Sequence, residues 1–559
     1  MPETIKLFTK PACPFCAAAK ITLEERGHRF AECDITSARR TAALSVYLTG
    51  VATVPQILVG DLHINGSEDL QALAEAGRLD RLIACAEEQP DTERLSDAEL
   101  EAGTEDLPLS RIIPESDGTR SDDPEQWPIL HFYKSFFGFW PNCFRFMHHW
   151  PEAYKLFVYA HNLGAIRFGR EVLGERMMMA TGFATSDAHG CNYCRIHMTA
   201  AGGETSLGLP ALMQQVRSGK AGDNAEMGVY ELALTELAAE AARNAVPTLL
   251  LEEIRSLASQ ARESATNPED AVMATAMVTS AFGFLNVFND LTGVDVEREW
   301  AGQAQSRAGI EPGRHAVSTH SAYGNLDHPL SEGGPSLEDM LAACDGVVAK
   351  AGGVERYAMQ ELGLLPSWMK AWPEDLRARH ALFYAEMMQP RAHSSIPSEL
   401  KHLMARVSAI AKGHEYLAAV EGWMACQVAG QTQQAVERVR HCFEAAKQRK
   451  VGEDCFTEQE GAALTLAWLS AQSPLTTPRR FIEPAIQAYT ARELVQLITV
   501  CSVAGLVQRF AAITKPVMEP EVSAYLQEHA LESDTLCLRY PDPALTRGRA
   551  SRSEVDGAR

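Results

Sequence analysis

The sequence predicts a multidomain chain in which a small α/β domain is followed by a long, mainly α-helical region. Three observations carry this. Strand and helix signals alternate only before residue 86. From Trp127 onward strand signals vanish, and apolar residues recur at helical spacing among Ala, Leu, Met and Glu. The 559 residues also exceed what a single core fills, since domains run at roughly 150 residues each.

The elements follow in order. TIKLF, residues 4–8, predicts a strand, and KPACPFC opens a helix that Gly27 ends. HRFAECDI predicts a second strand and ARRTAALSVYLTG a second helix. VPQILVG and LHING predict a strand pair, and SEDLQALAEAG a closing helix with Ser67 as its N-cap. The order β-α-β-α-β-β-α describes a small α/β domain over 1–87. Residues 87–125 carry fourteen acids against Arg94, Arg111 and Arg120, half of the chain's net charge of −22. With four prolines among them, 88–125 predicts an extended, solvated acidic linker. A helical unit is predicted over 126–300, a Gly/Pro/His-rich linker over 301–336, a second helical unit over 337–525 and a frayed tail over 526–559.

The two helical units read as a duplication. Trp150-Pro151-Glu152 matches Trp372-Pro373-Glu374, Gly190 and Tyr193 match Gly413 and Tyr416, and Ser280, Gly283 and Phe288 match Ser502, Gly505 and Phe510, all at offsets of 222 or 223. Between Asp270 and Asp290 lie 19 uncharged residues, long enough to span a membrane. Their many Ala, Thr, Ser and Asn residues, with acids at both ends, predict a buried helix instead. The acidic balance excludes a nucleic-acid binder and a polybasic membrane-surface protein. MPETIKLFTK has no apolar leader, so a cytoplasmic location is expected.

Thirteen cysteines include two C-x-x-C pairs, Cys13/Cys16 and Cys191/Cys194, a pattern that suggests redox or metal chemistry rather than a secreted disulfide framework. Cys13 lies between a strand and a helix, where the helix N-terminus favours thiolate, and Cys16 is placed to resolve a mixed disulfide. KPACPFC, TVPQILV and HINGSEDL together resemble glutaredoxins over residues 4–85. The resemblance implies a thioredoxin-like fold, Cys13 as nucleophile and Cys16 as resolving thiol. It also implies that Lys10, Thr53, Val54, Pro55, Ser67 and Glu68 contact glutathione.

In SDAHGCNYCRIHM, Cys191, Cys194 and His197 recur every third residue, along one face of a helix, and an imidazole beside a thiol can take its proton. This segment, with AFGFLNVFNDLTGVDVE, resembles the alkylhydroperoxidase D-like (AhpD-like) branch of the carboxymuconolactone decarboxylase superfamily. The resemblance implies Cys194 as the peroxide-attacking thiolate, Cys191 as the resolving thiol and His197 as the base. The family's Glu, twelve residues before the first cysteine, is Met179 here, which leaves Glu175, Asp187 or His189 as substitutes for a proton relay. A zinc site of Cys191, Cys194, His197 and His189 is cramped, and no metal is expected. In the second unit His414, Leu417 and Val420 replace the two cysteines and the histidine, so that unit is expected to be a structural partner.

The expected function is that of a thiol-disulfide redox enzyme. A glutathione-linked glutaredoxin centre feeds the Cys191/Cys194 centre, which reduces hydroperoxides or disulfides. No bound cofactor is expected; glutathione is the reductant and a partner, and a homo-oligomer is allowed. The alternative is a non-redox helical module, lactone decarboxylase-like or a zinc-stabilised scaffold, with a glutaredoxin regulator.

Overall fold

In the first strand, IKLFT is apolar almost throughout, as a strand buried on both faces must be. The computed structural model describes residues 5–86, 94–201, 228–260, 267–389, 393–448, 455–531 and 534–541. They fall into two units. The first takes residues up to Leu107 together with Thr476–Pro484 and the stretch from Ala530 onward. The second comprises Pro108–Leu475 and Ala485–His529.

In the first unit the order is β1 (Ile5–Thr9), α1 (Pro14–Glu25), β2 (Ala31–Asp34), α2 (Arg39–Thr49), β3 (Gln56–Val59), β4 (Leu62–Ile64), α3 (Ser67–Glu75), α4 (Leu79–Ala84) and α5 (Asp97–Thr104). The sheet runs β2-β1-β3-β4, with β1 parallel to β2 and antiparallel to β3. This is the thioredoxin-like α/β sheet that the sequence predicts. Leu7, Ile57 and Val59 from the strands pack with Leu23, Leu70 and Leu73 from the helices in one core. Gly66, not Ser67, occupies the N-cap of α3; Ser67 is the first helical residue and is buried.

Two boundaries need correction. The acidic stretch is not an extended linker where it is described. Ser96 and Glu99 form a capping box on α5, which buries Leu100. Leu107 donates its N–H to Thr477 O at 2.9 Å, and the Asp106 carboxylate accepts from the Thr477 backbone and hydroxyl. A helix at Asp97–Thr104 satisfies its own backbone and leaves the acids solvated on its outer side, so a strong acidic excess does not forbid folding. The predicted tail is likewise folded over 535–541. A short helix, Thr535–Arg539, ends in Tyr540, whose hydroxyl donates to Asp69 at 2.8 Å and accepts from the Asn65 N–H at 3.2 Å. Arg539 pairs with Asp69 at 2.9 Å. Residues 542–559 lie outside the described residues.

The second unit is helical. Its frame is α6 (Leu163–His189), α7 (Asn192–Ala201), α8 (Pro268–Thr292), α9 (Ser398–Ala411), α10 (Glu415–Val428) and α11 (Ala491–Thr514). Helices α8 and α11 pack extensively on each other. Both are long and apolar enough to cross a membrane, yet 89% and 94% of their most apolar windows are buried by the protein itself. For α8 this is the predicted buried helix; α11 has the same character. The predicted 301–336 linker is also corrected: helix Arg298–Ala308 runs across its start, and Val296 and Ala316 are joined by a 2.8 Å backbone hydrogen bond.

Several hydrogen bonds recur at nearly one sequence offset. Asn286 donates to Ser186 at 3.0 Å, and Gln508 to Ser408 at 3.0 Å. Tyr193 donates to Glu297 at 2.9 Å, and Tyr416 to Glu519 at 2.7 Å. The same carboxylates accept from the backbone N–H of Asn142 and of Ser367. Between α8 and α11 the backbones meet at glycines. A Cβ on Gly283 would lie 2.7 Å from Gly505 O, and one on Gly505 would lie 3.0 Å from Gly283 O. Gly505→Val should therefore cost about 1–3 kcal/mol by overpacking; urea unfolding that shows no loss would contradict this account of the helix contact.

Candidate active site

In the first unit, Cys13 is the N-cap of α1 and its Sγ accepts the Cys16 N–H at 3.2 Å. Burial opposes ionisation of Cys13, but hydrogen bonds from the Cys16 side chain and from the Cys16 and Phe15 backbone, with the charge of Lys10, outweigh it and hold the thiol below its ordinary value. Burial and the neighbouring Cys13 push Cys16 up to about 11. The pair is therefore asymmetric, one thiolate nucleophile and one protonated partner. A cleft of about 390 Å³ opens beside them, with Lys10 and Lys20 on its rim. Cys13 Sγ lies 3.9 Å from Val54 O, and the Val54–Pro55 bond is cis. A Cβ on Gly66 would come within 3.9 Å of Pro55 O, so the Thr53–Pro55 turn and the start of α3 adjoin. Ser67 is buried there and Glu68 is exposed.

The second pair lies in the helical unit. Helix α6 ends at His189, Gly190 turns the chain with φ of 97°, and Cys191 precedes α7 rather than lying within it. Cys194, in the first turn of α7, is near free helix N–H groups. Cys191 and Cys194 are 0% and 3% exposed. Burial works against the Cys194 thiolate, but hydrogen bonds from Cys191 and Asn289 (3.3 Å) and the charge of His197 bring the thiol below its ordinary value. Burial and the Cys194 bond drive Cys191 well above it.

The carboxylate at His197 is Glu297, which the sequence reading did not single out. His197 Nε2 lies 3.0 Å from Glu297 Oε2, and its Nδ1 bonds to Tyr193 O at 2.9 Å. Burial lowers the His197 pKa, yet Glu297 more than compensates and the group ends above its usual value. The proposed relay residues are corrected accordingly. Non-helical Gly174 breaks α6, so Glu175 begins the rebuilt helix at the surface and pairs with Arg170 at 3.1 Å. Asp187 pairs with Arg195 at 3.2 Å. His189 belongs to another network: Arg509 donates to its Nδ1 at 2.8 Å, and its Nε2 faces Asp290 at 3.5 Å. Asp290 also meets His315 at 3.0 Å, and this charge partnership holds its carboxyl far below the usual range despite burial. The four residues weighed for zinc thus face different partners. A different trio, Cys191, Asp290 and His315, has ligand atoms within 4.8 Å of one another.

Met179, in the place of the family's Glu, is buried on the wall of a cavity of about 270 Å³ whose floor includes Cys194, His197 and Asn289. In the second unit His414 accepts the Leu417 N–H and caps α10, and burial lowers its pKa to about 4. That is a structural task for the residue aligned with Cys191.

The glutaredoxin family profile matches residues 5–64. A glutaredoxin of Pseudomonas aeruginosa is 37% identical over 84 residues, 99% of its length and 15% of this chain. The chain belongs to the glutaredoxin family. Glutaredoxin 3 of Escherichia coli is 37% identical over 79 residues, 95% of its length. The hybrid peroxiredoxin hyPrx5 of Haemophilus influenzae is 46% identical over 70 residues, and there the chain spans 28% of the relative's length. These matches make the first unit a glutaredoxin domain with thiol-disulfide redox function and leave the helical unit uncovered. Among solved structures, the debrominase Bmp8 with 2,3,4-tribromopyrrole is 21% identical over 33% of this chain and 93% of that chain, with a TM-score of 0.28. At that score the likeness carries no weight.

Two titrations test the geometry. Iodoacetamide at pH 6–7 should label Cys13 of the glutaredoxin domain and spare Cys16; equal labelling would contradict the asymmetry. Glu297→Gln removes the charge that holds a proton on His197, so burial alone acts and the imidazole becomes neutral. The Cys194 thiolate then loses its counter-charge, and its alkylation midpoint should rise by about one pH unit, or ~1.4 kcal/mol. An unchanged midpoint would separate Glu297 from the thiol.

Proposed function

We propose that the chain is a glutathione-linked thiol oxidoreductase whose helical unit is a duplicated AhpD-like region of the carboxymuconolactone decarboxylase superfamily. The glutaredoxin domain takes electrons from glutathione, with Lys10, Thr53, Val54, Pro55, Ser67 and Glu68 as its contacts, and Cys191–Cys194 spends them on a hydroperoxide or a disulfide. The observation that carries this reading is the buried Cys194 thiol, held below its ordinary value beside the His197–Glu297 pair. The recurring Tyr–Glu–backbone and Ser–amide bonds support the duplication.

With a hydroperoxide the chemistry balances as follows. The Cys194 thiolate attacks the distal oxygen, the O–O bond breaks, and the protonated His197 supplies the proton that turns the departing alkoxide into an alcohol. Cys194 is now a sulfenic acid. Cys191 attacks its sulfur, a disulfide forms and water leaves. Two electrons have passed from two thiols to the peroxide. Two thiols of the glutathione system return them by thiol-disulfide exchange. Both sulfurs are buried in the reduced pair, so this step requires the oxidised pair to expose one.

Glutathione-dependent turnover of a panel of organic peroxides and disulfides by the full chain tests the reading. Cys13→Ser and Cys194→Ser should each abolish it, while Cys16→Ser should retain monothiol activity. Combining Cys16→Ser with loss of one thiol of the second pair should trap Cys13 joined to Cys191 or Cys194, in one chain or between copies. Finding Cys13 joined only to glutathione, with the second pair still reduced by an outside donor, would show that the two centres do not work in series.

A further inference from the structure

The cavity above Cys194 carries information about the substrate that the thiols alone do not. Its floor holds the Cys194 sulfur, His197, Tyr193 and Asn289; Cys191 is absent from its lining. A molecule entering therefore meets only the sulfur whose pKa is depressed, while the other thiol waits behind it. The walls are phenylalanine and methionine: Phe132, Phe137, Phe144, Phe282, Met178 and Met179. Phe136 is 47% exposed, and Arg170, exposed and paired with Glu175, also lies along the lining. At about 270 Å³ the space is at the small end of ligand pockets, which run to roughly 300–1,000 Å³.

From this the geometry points to a small, apolar, ring-bearing organic hydroperoxide as the substrate of the Cys194 centre, in preference to hydrogen peroxide or a protein disulfide. The assignment rests on the peroxide-attacking role proposed for Cys194. Three physical arguments support it. An aromatic or alicyclic group gains burial against the Phe and Met walls, worth roughly 25 cal/mol per Å² of apolar surface removed from water. Hydrogen peroxide has no such surface and exchanges its water hydrogen bonds for a floor with few polar partners. A protein disulfide brings two chain segments with it, and Cys194 is only 3% exposed at the bottom of a single-molecule cavity. The Met at position 179 fits the same picture: an ionised side chain there would face an apolar wall, where an unpaired charge is costly. The reaction is the one written above, with the ring-bearing fragment leaving as its alcohol.

The test uses the full chain with glutathione and three oxidants: cumene hydroperoxide, hydrogen peroxide and a small peptide disulfide. The expected kcat/KM for cumene hydroperoxide is at least about tenfold above either of the others, a gap of ~1.4 kcal/mol. Ile166, half-buried on the wall, allows the cavity to be filled. Ile166→Trp should reduce the selectivity for cumene hydroperoxide over hydrogen peroxide at least about fivefold, mainly through KM. A second measurement is independent of turnover. In Cys194→Ser, 2-phenyl-2-propanol, the product alcohol, should bind saturably in calorimetry, and Ile166→Trp in that background should abolish binding. Turnover of all three oxidants at similar kcat/KM, with no alcohol binding, would leave the thiol oxidoreductase standing and overturn the substrate class. Saturable binding of the alcohol without turnover of any oxidant would keep the apolar site and overturn the peroxidase reading on which this assignment rests.

Discussion

Two carboxylates that follow one another at the end of α8, Asp290 and Glu297, are buried, and the arrangement of the second thiol pair depends on how each is neutralised. A carboxylate taken out of water costs several kcal/mol unless charge and hydrogen bonds compensate. Glu297 receives the His197 ring, the Tyr193 hydroxyl and the Asn142 N–H. Asp290 receives His315 and His189, and His189 in turn is held by Arg509. The first set acts on Cys194 through His197, and the second lies on the Cys191 side. The opposite pKa shifts of two thiols three residues apart follow from that division, together with their mutual hydrogen bond.

Arg509 belongs to α11, in the half of the helical unit without a thiol pair. It reaches His189 from a helix that crosses α8 at the Gly283–Gly505 contact. The second half keeps the Tyr416–Glu519 pair but puts a helix-capping histidine and a leucine where the thiols would be. Its contribution to the chemistry is therefore a cation and a wall rather than a nucleophile. The close glycine approach matters because it brings the arginine's backbone near enough for the side chain to span the remaining distance.

Much of this was legible in the sequence, for identifiable reasons. The α/β order, the asymmetric Cys13/Cys16 pair and the buried character of α8 follow from local spacing and composition. The acidic stretch was misread because charge density reports solvation of one side of an element and says nothing of Leu100 and Leu107 on the other. Glu297, His315 and Arg509 reach the thiols from far along the chain, and no periodicity connects them to SDAHGCNYCRIHM. One signal was available: Asp290 and Glu297 are the acids that close the segment singled out for its resemblance, NDLTGVDVE, and an acid directly after a long uncharged helix needs a buried partner. The substitutes chosen for the missing glutamate were sought close in sequence, whereas the fold supplies one from more than a hundred residues away.

The glutaredoxin domain is assembled from three separate stretches of chain: the N-terminal one, residues 476–484, and residues 530–541 with Tyr540 at Asn65 and Asp69. Its sheet and thiols are complete within the first stretch. Its surface beside the Ser67–Glu68 corner is complete only after the polypeptide has been synthesised past residue 540. During translation the disulfide chemistry of Cys13 and Cys16 is therefore present hundreds of residues before that corner acquires its final covering. A nascent chain and a finished one offer thiol partners different surfaces at that corner.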